Sequence, residues 1–214
     1  MNDPQAIFTV LLDRYGPRHW WPAETPFEVC VGAILTQNTN WGNVEKAIAN
    51  LRRAGCLSLA GIIALNADVL ADLIRPAGYY NVKALRLLEF ADFVQRRGGL
   101  EALFAADTSE LRRDLLAVRG VGPETADSML LYAGNHASFV VDTYTRRIFS
   151  RLGLVSEGIA YEELRRFFME RLPLDLALYN EYHALLVEHA KQHCRTRPLC
   201  SGCCLATVCR YVAA

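Results

Sequence analysis

The chain has 214 residues with 23 basic and 23 acidic side chains, a formal net charge of zero, and is 52% hydrophobic and 21% charged. That balance supports a packed core and excludes a disordered tail. No run of about 18 apolar residues exists to span a bilayer, and Met1 to Gln5 carry no basic segment leading into an apolar one. The expected setting is therefore soluble and intracellular, with no membrane partner.

The apolar pattern is helical nearly throughout. Ile7, Val10 and Leu11 share one helical face, and Phe27, Cys30, Val31, Ile34 and Leu35 share another. Helices are predicted over 42–54, 58–63, 67–73, 81–96, 99–105 and 109–117. Ala126, Met129, Leu130 and Ala133 follow helical spacing, and 144–152, 160–171 and 176–193 complete the set. Gly55, Pro76–Gly78, Gly98–Gly99 and Gly134–Asn135 punctuate them. No alternating strand, heptad, low-complexity tract or internal repeat stands out. The class is all-α.

Neutral total charge argues only weakly against nucleic acid, because phosphates respond to a patch and not to a sum. From Lys191 to the C-terminus the chain carries Lys191, Arg195, Arg197 and Arg210 and no acidic residue. Lysines are scarce: Lys46, Lys83 and Lys191 are the full set.

Five of seven cysteines gather near the C-terminus. Cys194-x5-Cys200-x2-Cys203-x5-Cys209 packs four thiolates closely, as an iron–sulfur or a zinc site requires. Zinc sites usually pair two C-x2-C steps, and one is present, which favours a [4Fe–4S] cluster over zinc or inert thiols. Disulfides are disfavoured without signs of secretion. Cys204 is the spare, while Cys30 and Cys56 read as core on apolar helical faces.

Asp107-Thr108-Ser109-Glu110 reads as a capping box. The helix it opens stops at Arg119-Gly120-Val121-Gly122, and Pro123 suits the first position of the next helix. A glycine hairpin feeding a helix N-terminus is a tight turn or, with its free amides and dipole, an anion site. Asp142 follows Phe139-Val140-Val141 and precedes a helix bearing Arg146 and Arg147, where an N-cap is the ordinary role. All three tryptophans, Trp20, Trp21 and Trp41, precede residue 42. They are core filling or a slot for a base.

Leu116 to Ala126, reading LAVRGVGPETA, followed by Val140-Val141-Asp142-Thr143-Tyr144, resembles the helix-hairpin-helix-GPD superfamily of DNA glycosylases. With the cysteine loop, Leu35-Thr36-Gln37-Asn38-Thr39 and Gly78-Tyr79-Tyr80-Asn81-Val82-Lys83-Ala84, the whole chain is similar to the endonuclease III branch. The first cysteine gap is one residue shorter than usual there. The resemblance implies a two-lobed fold: a six-helix barrel domain over 27–133, and a discontinuous cluster domain over 1–26 and 134–214, with DNA between them. It implies a cytoplasmic monomer, nucleoid-associated if bacterial, acting on double-stranded DNA that contains damaged bases. Asp142 would stabilise an oxocarbenium-like sugar and help activate water. Gly120 and Gly122 would bind phosphate, Arg195 and Arg197 would contact the backbone, and Gln37, Tyr79 and Asn81 would fill the gap left by an extruded base.

Bifunctional members of that branch carry a nucleophilic lysine two residues after the second hairpin glycine. Here the position is Glu124, and a carboxylate forms no Schiff base. The set is most similar to the 3-methyladenine glycosylases of the branch, which implies a base pocket of Trp21, Pro22 and Trp41, with Glu124 and Lys191 at further positions. Indole faces attract a cationic N-alkylpurine, and Glu124 adds an opposite charge. The expectation is a monofunctional alkylpurine glycosylase. The alternatives are a glycosylase for oxidised pyrimidines or mismatched thymine, and a lesion binder without turnover.

Overall fold

The computed structural model describes residues 3–18 and 20–211, and among these every regular element is helical. In chain order the helices are α1 (Pro4–Tyr15), α2 (Pro26–Leu35), α3 (Trp41–Arg53), α4 (Leu59–Ile63), α5 (Ala67–Leu73) and α6 (Tyr80–Arg96). They continue as α7 (Leu100–Phe104), α8 (Thr108–Ala117), α9 (Pro123–Ser128), α10 (Thr143–Arg151), α11 (Tyr161–Met169) and α12 (Leu176–Gln192). No helix among the described residues is long and apolar enough to cross a membrane.

The starts of these helices follow from simple chemistry. At eight of the twelve, a Ser, Thr, Asn or Asp side chain accepts an N–H of the first turn: Asp3, Thr25, Asn40, Ser58, Asn66, Asp107, Asp142 and Asp175. Each such cap contributes about 1 kcal/mol; α6, α7, α9 and α11 begin without one, α9 at Gly122. At α8 the predicted box is only half built. Asp107 accepts from the Ser109 N–H at 2.8 Å, while the Glu110 carboxylate faces Arg113 at 4.0 Å.

Two compact units divide the chain. The contiguous one, Ala23–His136, is organised by α2, in which every residue from Phe27 to Leu35 is buried. A helix apolar on all sides belongs at the centre of a bundle, and α3, α6 and α9 pack around it. On α6, Leu87, Phe90, Ala91 and Val94 form the buried stripe. Beyond α9 the helix widens over Met129–Ala133, where the Gly134 N–H reaches the Met129 carbonyl at 3.0 Å. Cys30 is core, as its face predicts. Cys56 is not. It lies half-buried in the loop after α3, its thiol donating to the Ala54 carbonyl, because Gly55 has already ended the helix.

The split unit joins Met1–Pro22 to Ala137–Ala214. Its core is aromatic: Phe139 stacks on Phe168 at 4.2 Å and meets Tyr179 and Tyr182 edge-on. Tyr182 also packs against Phe8, and its hydroxyl donates to the Pro4 carbonyl at 2.7 Å. That contact holds α1 against α12.

Candidate active site and cysteine loop

In the contiguous unit the hairpin after α8 is fixed by one glycine and left open by another. Gly120 has φ +90°, and a Cβ there would fall 2.3 Å from Cγ of Arg86. The Arg86 guanidinium donates to Gln37 Oε1, and Gln37 Nε2 donates to the Gly120 carbonyl at 3.0 Å and Thr125 Oγ1 at 2.9 Å. Gln37 therefore braces the hairpin in the free protein. Gly122 has an ordinary extended backbone, and a Cβ there would meet nothing within 4 Å. Nothing within the unit requires glycine at that position. Pro123 takes the first helical position, as predicted, and Glu124 is exposed in the same turn.

Lys83 is buried, its ammonium nitrogen donating to the carbonyls of Leu35 at 2.9 Å and Ala77 at 2.7 Å. Burial, with Arg86 nearby, pulls its pKa down to about 8. Two acceptors match the two N–H groups of a neutral amine, so the site tolerates loss of the proton. Beyond Ala77 the chain turns through Tyr79, which is left-handed at φ +47° and 71% exposed, and Asn81 follows, exposed in the first turn of α6. Trp41 opens α3, half-buried, with its indole N–H on Glu45 at 3.0 Å.

In the split unit Asp142 caps α10 and is almost wholly enclosed. Its Oδ1 accepts from the Thr145 N–H at 2.7 Å and from Thr145 Oγ1 at 2.8 Å. Oδ2 faces Nε2 of His183, on α12, at 3.6 Å. Burial raises the carboxyl's pKa, but the pull of His183 and the Thr145 donors outweighs it, leaving the group below the ordinary carboxylate value. Asp142 is thus held ionised. The sequence offered no sign of His183, which sits inside a helix between Tyr182 and Ala184.

The C-terminal loop is gathered by arginines of α10. Arg147 Nε donates to the Cys194 carbonyl at 2.7 Å, and Arg151 reaches the Cys194 sulfur at 3.3 Å and the carbonyls of Arg195 and Thr196 at 2.6 and 2.9 Å. Cys194, Cys200, Cys203 and Cys209 line one cavity with His189 and Leu205, and Cys204 is not among its walls. Burial raises the Cys203 thiol, and Cys194, Cys209 and Cys200 push it further up, so the four sulfurs sense one another. Among the described residues no three Cys, His, Asp or Glu side chains are close enough to hold a single metal ion. One zinc would draw its thiolates to about 3.8 Å of each other, whereas a four-iron cluster, with one thiolate on each iron, spaces them more widely. Four cysteine sulfurs around one cavity are a donor set that fits such a cluster. The Tyr15 hydroxyl lies 3.0 Å from Nδ1 of His189, whose pKa burial and His193 lower to about 4, and whose Nε2 lies 3.8 Å from the Cys203 sulfur.

Residues 31–174 match the family model of HhH-GPD superfamily base excision DNA repair proteins. The chain belongs to that superfamily. It is 52% identical over 206 residues to a Methanocaldococcus jannaschii protein provisionally named a DNA repair glycosylase, covering 95% of this chain and 94% of that one. It is similar to the crystal structure of the H. pylori 3-methyladenine DNA glycosylase MagIII bound to 1,N6-ethenoadenine, with a TM-score of 0.79, 32% identity and coverage of 89% and 98%. A non-covalent endonuclease III–DNA complex shares the fold, with a TM-score of 0.84 at 22% identity and coverage of 100% and 98%.

On the superfamily's fold the remaining predicted residues fall as follows. Trp21 is half-buried and edge-on to Trp20 at 5.7 Å, and Pro22 is exposed, both in the split unit. Lys191, Arg195 and Arg197 are exposed at the end of α12 and in the loop that follows. Beside them a groove of about 550 Å³ is lined by Thr143, Arg146, Arg147 and Thr196. Arg146 and Arg147 were legible as a basic pair, but Thr196 was not, being distant in sequence.

Proposed function

We propose that this chain is a monofunctional DNA glycosylase that removes N-alkylated purines such as 3-methyladenine, leaving an abasic site in an intact strand. One observation carries the reading: Glu124 stands where bifunctional relatives carry their lysine, and its helix holds no lysine at all. Lys46 lies on α3, Lys191 ends α12, and Lys83 spends its nitrogen on two buried carbonyls. The likeness to the H. pylori 3-methyladenine glycosylase at 32% identity supports the substrate class.

The chemistry follows from the residues. An N-alkylpurine is a cation with a weakened glycosidic bond, so it departs as a neutral base without general-acid help. Extruded from the duplex, it would find an indole face in Trp41 and a Coulombic partner in Glu124, both in the contiguous unit. As the bond breaks, positive charge grows on the sugar, and the ionised Asp142 stabilises it. Water then adds at C1′ and loses a proton to Asp142 or solvent. The open amides after Gly122 suit one backbone phosphate, and the arginine-lined groove with Arg195 and Arg197 suits others. Gln37 would enter the duplex only by releasing the hairpin it braces, so Tyr79 and Asn81 are the better wedges. Cys194, Cys200, Cys203 and Cys209 would hold a [4Fe–4S] cluster. That group would supply a rigid scaffold and a redox-sensitive charge beside the DNA, with no part in bond cleavage.

The test uses end-labelled duplexes carrying a 3-methyladenine analogue, thymine glycol or a G·T mismatch, with products run before and after hot alkali. Breaks only after alkali, chiefly on the alkylated duplex, are expected. Breaks without alkali would reinstate an amine nucleophile, a preference for either pyrimidine lesion would reassign the substrate, and tight binding without cleavage would leave a lesion binder.

A further inference from the structure

Asp142 has two oxygens, and only one is available for chemistry. Oδ1 is committed to Thr145 through two hydrogen bonds. Everything the carboxylate does to a sugar cation must pass through Oδ2, and Oδ2 is the atom that faces His183. We propose that His183 is the positioning residue of Asp142, fixing the direction of Oδ2 and keeping it free of a proton as the glycosidic bond breaks. This rests on the reading of Asp142 as the catalytic carboxylate.

The geometry suits the role. Both side chains are nearly closed off from water, at 8% and 11% exposed, so any interaction between them is little screened. At 3.6 Å the pair is longer than a hydrogen bond, which leaves Oδ2 lone-pair density for a second partner. Catalytic contacts commonly tighten only in the substrate complex. The groups that bear on Asp142 are few. Thr145 comes from its own helix and His183 from α12. The nearby cations are directed elsewhere: Arg147 to the Cys194 carbonyl and the Tyr144 ring, and Arg146 to the groove with Thr196. Among the described residues, His183 is the ionisable group that bears most on the carboxyl. A buried histidine serving only as packing would tolerate an apolar replacement of similar size with no change in how Asp142 titrates.

The experiment compares full-length wild type, His183→Leu, His183→Gln and Asp142→Asn, each checked for folding by thermal melting. Asp142 is titrated directly by carboxyl NMR, and single-turnover excision is followed against pH on whichever of the three lesion duplexes the wild type processes. For His183→Leu, the carboxyl midpoint and the acid limb of the rate profile should both rise by about one pH unit or more. The plateau rate should fall about tenfold to a hundredfold, with binding to an abasic-site analogue kept. His183→Gln, which retains a donor but not an ionisable ring, should recover much of the plateau and less of the acid limb. It also carries the test should the leucine variant fail to fold. A His183→Leu titration and rate profile that overlay the wild type would overturn the proposal. If Asp142→Asn excises as fast as wild type, the catalytic assignment fails instead, and the carboxyl titration still decides whether His183 governs Asp142.

Discussion

The starts of α9 and α10 solve opposite problems. Each is entered from a short extended segment, and each carries one element of the motif that identifies the superfamily. At α9 no side chain covers the helix end, and Gly122 leaves empty space before it. At α10 a carboxylate closes the end, Oδ1 bonded to Thr145 and Oδ2 facing His183. An open helix N-terminus is a place for a ligand's negative charge, and a closed one holds the protein's own. One glycine and one aspartate, each at an N-cap, make the difference.

Asp142→Asn should sharpen the contrast most. Asparagine caps a helix as well as aspartate, so thermal unfolding should move by less than about 1 kcal/mol, while single-turnover excision should drop at least about 10³-fold. Loss of fold instead of loss of rate would make the carboxylate a structural charge.

The two hairpin glycines should separate next. Gly120→Ala meets a positive φ and the Arg86 side chain, so urea melts should lose about 1–3 kcal/mol. Gly122→Ala should leave stability unchanged or raise it by up to about 1 kcal/mol. Its affinity for an abasic duplex should nonetheless fall about tenfold, as filter binding at fixed salt would show. Equal behaviour of the two variants would remove the reason for calling α9 open.

Thr145→Val removes one of the two donors to Oδ1 and keeps the backbone one. Stability should fall by about 1 kcal/mol, and the excision rate by severalfold.

The smallest effect belongs to Lys83. Its folded pKa of about 8 lies below the ordinary lysine value of 10.5, so the folded state binds fewer protons between those values. Stability should therefore rise with pH across that window, and whatever the neutral amine preserves is lost as pH falls through about 8. The difference in unfolding free energy between wild type and Lys83→Met should carry that slope. A pH-independent difference would show that the amine is not perturbed.

Much of this was legible in the chain. Helix positions came from apolar spacing and from the cap residues, because both act within one turn. Pro123 and the N-cap role of Asp142 are local in the same way. The partners were not. His183, Arg86 and Arg151 are unremarkable inside their own helices, and their meaning comes from Asp142, Gln37 and Cys194, between 41 and 49 residues away for the first two and 43 for the third. Periodicity reports which face of a helix is buried and is silent about what lies against it. Gln37 shows the same limit. It reads as a duplex wedge from its turn, and its employment as a hairpin brace depends on Gly120 and Thr125.

The bond from the Tyr182 hydroxyl to the Pro4 carbonyl spans 178 residues, and it sets an order of assembly. During synthesis α1 leaves the ribosome well before α12 and has to wait for it before the contact through Phe8 and Tyr182 can form. The unit from Ala23 to His136 has every strand of its own logic in hand much earlier and can condense while the rest is still being made. The cysteine loop follows α12 and becomes available later still, so any metal centre is loaded onto a chain whose hairpin is already made. A nascent chain of this design carries α1 without its partner until α12 has been made.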